Sequence, residues 1–78
     1  MIRAELIRLL EEGIEIENEA IDLYANHLEN KLFLSDFEPS KAIKIREILD
    51  HLKKDSQRHK DTLEGLRDSI ASSRRDVY

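Results

Sequence analysis

A chain of 78 residues has room for one domain, and a lone core of this length leaves only about 3 to 5 kcal/mol of net stability, so a partner chain is expected. The absence of cysteine excludes disulfides, zinc fingers and iron–sulfur clusters, and makes a reducing, intracellular setting the simpler reading. Seventeen acids against thirteen bases argue against a general affinity for nucleic acid or anionic membrane, both of which draw on surplus Lys and Arg.

The first ten residues mix Arg3, Glu5 and Arg8 into their apolar positions, so they lack the uninterrupted run of a signal peptide or membrane span, and a soluble cytoplasmic protein is expected. Ile2, Leu6, Leu9, Leu10, Ile14, Ile16, Ala20, Ile21, Leu23, Tyr24 and Leu28 then follow the three-and-four spacing of an amphipathic helix, predicted from about residue 3 to 32. Residues 33–38 read as a bend, with Phe33 and Phe37 capping the end of the core. Pro39 suits the first turn of the next helix because its missing N–H would have had no helical partner.

The second helix is predicted from about 39 to 71 on Ala42, Ile45, Ile48, Leu49, Leu52, Leu63, Leu66 and Ile70, with polar Ser56 and His59 standing in the stripe. Residues 72–78 lose the pattern and are expected to fray. Charge divides between the halves. Through residue 30, eight acids face only Arg3 and Arg8, whereas residues 39–75 carry more bases than acids, so an acidic helix is set to lie beside a basic one.

A short bend between long helices gives an all-α, antiparallel hairpin in one domain, residues 1–78. If it pivots on Phe37, residue n faces about residue 74 minus n, which brings Glu17 within a turn of Asp55, Ser56 and His59 and sets Gly13 near position 61. One hairpin cannot cover both stripes. Two copies on a twofold axis would, as a four-helix bundle in which Glu17 and His59 of each chain converge.

Carboxylate and imidazole inside an apolar bundle form a donor set for divalent iron, manganese or zinc. The run Glu17-Asn18-Glu19-Ala20-Ile21-Asp22-Leu23-Tyr24 resembles the E-x-x-A-x-x-x-Y helix of the rubrerythrin branch of the ferritin-like superfamily, and Asp55-Ser56-Gln57-Arg58-His59 is similar to its E-x-x-H helix. The resemblance covers roughly residues 13 to 66 and implies a half-length member that dimerises. It implies Glu17 as terminal carboxylate ligand, His59 as imidazole ligand and Tyr24 as a hydrogen-bonding residue beside them, in iron handling, ferroxidase chemistry or peroxide reduction.

Ser56 stands where that motif carries a bridging Glu, so two chains offer Glu17 twice and His59 twice. Asp55 from both chains would restore neutrality around two ions, whereas a single divalent ion on the twofold axis is balanced by the two Glu17 alone. A rival reading makes the same residues a metal-free hydrogen-bonded layer that fixes register in a structural or partner-binding dimer. A third makes the acidic first helix a protein-binding adaptor. His51 shares the four-residue spacing of Asp55 and His59, but a solvated role suits it and His27 better. Two glycines cannot build a phosphate loop, and no nucleophile–base–acid set stands out, so nucleotide hydrolysis and covalent catalysis are not expected.

Overall fold

The computed structural model describes the backbone of residues 1–78 and every side chain except those of Lys31 and Phe33. It is an all-helical hairpin, a rod of 55 × 15 × 14 Å. Helix α1 spans Arg3–Glu29, a short α2 spans Lys31–Ser35, and α3 spans Pro39–Ala71 and packs along α1. Among the described residues no helix is long and apolar enough to cross a membrane.

The break between α1 and α2 lies at Asn30, whose extended backbone (φ −82, ψ 94) ends the first helix short of the expected residue 32. The chain restarts at once. The Leu34 N–H donates to the Asn30 carbonyl at 3.3 Å, and the turn this closes drives the Leu34 side chain into the end of the hairpin, where it is buried. Leu34 is thus the apolar plug at the bend. Phe37, one of the two residues expected there, remains more than a third exposed, and the Phe33 side chain lies outside the described residues. Pro39 opens α3 at its first turn, as its ring and missing N–H dictate.

Residues 72–78, expected to fray, are drawn against the other end of the chain. After α3 ends at Ala71, the tail turns back and pairs antiparallel with the amino terminus through an Ile2–Val77 bridge. The Arg3 N–H donates to the Asp76 carbonyl at 2.8 Å, and the Tyr78 N–H to the Met1 carbonyl at 2.7 Å. The Arg3 guanidinium donates to the Ser73 carbonyl and lies 3.4 Å from the Asp76 carboxylate. Helix α1 has no side-chain cap at Ile2, so this clasp supplies partners for backbone groups at a helix start that would otherwise rely on water.

Burial recurs every seven residues on both long helices, the period of helices that coil gently about each other. On α1 the inner rows hold Ile7, Ile14, Ile21 and Leu28 with Leu10, Glu17 and Tyr24 beside them; on α3 the innermost row is Ala42, Leu49, Ser56, Leu63 and Ile70. The seam is shallow. Among the described side chains only Ile14, Leu34 and Ser56 are buried, and none is sealed from solvent completely. Leu9, Ile16 and Leu23, read from the sequence as part of one stripe, form a separate exposed row on α1, with Ile16 64% exposed.

Candidate carboxylate–imidazole site

The seam sets the height of each polar residue. A Cβ placed on Gly13 would lie 3.3 Å from Leu63 Cδ1, and Glu17 lies opposite His59, so each residue of α1 faces a residue two positions later on α3 than the pivot at Phe37 predicts. In this register Glu29, the last residue of α1, faces position 47, so the first two turns of α3 run past the end of α1 and lie beside α2. The displacement improves the meeting of the two candidate ligands, because Glu17 now faces His59 itself.

Glu17 sits on an inner row of α1 with its side chain 21% exposed, and His59 sits at the edge of the seam with its ring 57% exposed. Glu17 Oε1 lies 3.5 Å from His59 Nδ1. That is longer than an ordinary hydrogen bond but close enough for charge to matter whenever the ring is protonated. The pair is open to solvent on one side. Ser56, one turn before His59, is buried, where a neutral hydroxyl is far easier to accommodate than the carboxylate of the resembling motif.

Asp55 does not join them. Its Oδ1 accepts a hydrogen bond from Arg58 at 3.0 Å, and its Oδ2 lies 3.3 Å from His51 Nε2, so both oxygens are engaged along its own helix. The four-residue spacing from His51 to Asp55 therefore makes a contact, whereas the next step to His59 is lost as that ring turns toward Glu17. Tyr24 is half-buried seven residues beyond Glu17, about 10 Å farther along the helix axis. The Asp50 carboxyl, outside the site, is held below its ordinary value chiefly through its hydrogen bond with Lys54.

Among the described residues no three His, Cys, Asp or Glu converge tightly enough to hold an ion, and no buried side-chain nitrogen or oxygen lacks a hydrogen-bond partner. One chain thus supplies two donors, a carboxylate and an imidazole, and a complete set requires a second source. Compared with protein-family models, curated proteins and solved structures, the chain finds no match.

Proposed function

We propose that this chain is one half of a rubrerythrin-like, ferritin-like metal-binding bundle acting in the cytoplasm. A second copy completes a site of two Glu17 carboxylates and two His59 imidazoles around one divalent iron, manganese or zinc ion. The observation that carries the reading is the Glu17–His59 contact at 3.5 Å, set at the solvent-open edge of the seam where another chain can reach it. Two carboxylates would neutralise one divalent ion, and two neutral imidazoles would add borderline nitrogen donors beside them. Iron handling or oxidative-stress redox chemistry is the activity the sequence resemblance implies, and the bound ion would supply that chemistry. Glu17 and His59 would hold the ion, and the apolar rows around them would shelter it once a second copy covers them.

A metal-free reading has its own support in Asp55, whose carboxylate is committed to Arg58 and His51, and in Ser56, which cannot bridge two ions. In that reading Glu17 and His59 pair with each other and fix the register of a structural dimer. Elemental analysis of untagged protein prepared anaerobically with ferrous iron separates the two. About one ion per two chains, lost in both Glu17→Ala and His59→Ala, is the expected result. Absence of bound iron, manganese and zinc in a folded wild-type dimer would overturn the metal reading and leave the structural one.

A further inference from the structure

We propose that one flank of the hairpin is the seat for a second copy of this chain, docked so that α1 of each copy lies over α3 of the other. The inference shares with the proposed function the need for a second copy, but it stands on surface and charge and holds with or without an ion.

Around α1, the row beyond Leu6, Gly13 and Ala20 is Leu9, Ile16 and Leu23, each seven residues from the next and each exposed. On α3 the corresponding edge row is Leu52, His59 and Leu66, all exposed, with Ile48 beside it. In an antiparallel pair the rows reached by turning the same way round each helix emerge on the same side of the rod, the side on which Glu17 meets His59. The result is a single apolar face running along the rod with the carboxylate–imidazole pair at its middle. The opposite flank carries Glu11, Asn18, Lys53 and Lys60 near the seam, with Glu15, Asp22 and Gln57 beyond, and offers no such continuous face.

The area to be covered matches a second copy. A folded monomer of 9.2 kDa is expected to expose about 4,900 Å². This chain exposes 5945 Å². The excess, about 1,000 Å², is close to the roughly 800 Å² that each partner contributes to a specific interface.

Charge decides which helix lies over which. Helix α1 carries eight acids and two bases, whereas α3 carries six acids and eight bases. Laying α1 over the other copy's α1 would set two strongly negative helices together, and laying it over α3 sets negative against positive. The outer margin agrees at one height, for in this register Glu19 on the α1 edge of one copy comes level with Arg58 on the α3 edge of the other. Complementary margins select the pairing and orientation more than they add affinity.

The test is sedimentation equilibrium on chelator-treated protein in low salt, with circular dichroism to confirm that each variant keeps its helices. Wild type should be a dimer, and Ile16→Asp should raise its dissociation constant on the order of a hundredfold by burying an unpaired carboxylate. Glu19→Lys in one variant, and Arg58→Glu in another, should each weaken self-association about tenfold, since each like-charge contact occurs twice in the dimer. Mixing the two should restore a heterodimer of wild-type strength. A monomeric wild type, or an undiminished Ile16→Asp dimer, would overturn the docking face. Charge variants that self-associate like wild type and gain nothing on mixing would overturn the α1-over-α3 arrangement. A chelator-resistant dimer of this kind in protein that binds no metal would sink the metal reading alone.

Discussion

The inner seam and the outer apolar flank of this hairpin are made of the same residue types at the same seven-residue spacing, yet they are covered to very different degrees. Ile14 in the seam is 7% exposed; Ile16, two positions on and turned to the flank, is 64% exposed. What separates them is only the angle at which each row leaves the helix, because α3 is one cylinder and can cover one arc of α1. A wide apolar arc on a two-helix rod therefore keeps a row that α3 of the same chain cannot reach, and on that row the proposed second copy rests. It also explains why a polar pair sits where the two arcs meet: at that boundary Glu17 keeps partial solvent beside the exposed ring of His59.

The largest test of this contrast compares truncations on the two rows. Ile14→Ala removes a buried side chain and should cost about 2 to 4 kcal/mol at every protein concentration, since its contacts are within one chain. Ile16→Ala should change the stability of the isolated hairpin by less than about 0.5 kcal/mol. At higher concentration the wild-type melting temperature should climb by mass action, and Ile16→Ala should flatten that climb. Thermal melts across a hundredfold range of concentration read both effects; identical concentration dependence in wild type and Ile16→Ala would erase the distinction between seam and flank.

Much of this architecture was legible in the residues. The two long helices follow from apolar spacing, and the start of α3 follows from Pro39, whose ring fits only the first turn. The meeting of Glu17 with His59 was legible to within a turn because antiparallel partners are found by counting equal rises from a bend. The two-residue displacement was not, because apolar spacing fixes which face of a helix is inward but not how far one helix slides past the other, and an asparagine late in a helix carries no decisive signal to stop. The engagement of Asp55 by Arg58 and His51 was hidden for a related reason: three partners within a turn compete for one carboxylate, and spacing alone does not rank them. Nor does hydropathy distinguish Ile14 from Ile16.

The terminal clasp was illegible because it rests on backbone pairing between Ile2 and Val77, which leaves no side-chain pattern to read. It closes the seam at the end opposite Leu34. Among the described side chains Arg3 ties its two ends together, and because Asp76 is largely exposed, Arg3→Ala should cost only about 0.5 to 1 kcal/mol. The loss should be local. Amide exchange at Arg3 and Tyr78, whose N–H groups close the clasp, should accelerate while the amide of Ile14 keeps its wild-type ratio to global unfolding. Equal acceleration at all three would make the clasp part of one cooperative unit with the seam.

The smallest effect probes how tightly the seam is closed, using the two glycines as a matched pair. Both lie inside long helices, where Ala is favoured over Gly by about 1 kcal/mol in the absence of new contacts. At Gly65 a new Cβ meets nothing within 4 Å, so Gly65→Ala should gain most of that amount. At Gly13 the Cβ would sit 3.3 Å from Leu63 Cδ1, tighter than comfortable contact, but the neighbour is the end of a flexible, half-buried side chain that can yield a few tenths of an ångström. Gly13→Ala should therefore gain less than Gly65→Ala, by a few tenths of a kcal/mol, without turning into a loss. Chemical denaturation at low protein concentration measures the difference. A net loss at Gly13 would mean that Leu63 has nowhere to move, and that this stretch of the seam, adjoining the Glu17–His59 layer, is as closely packed as a full protein core.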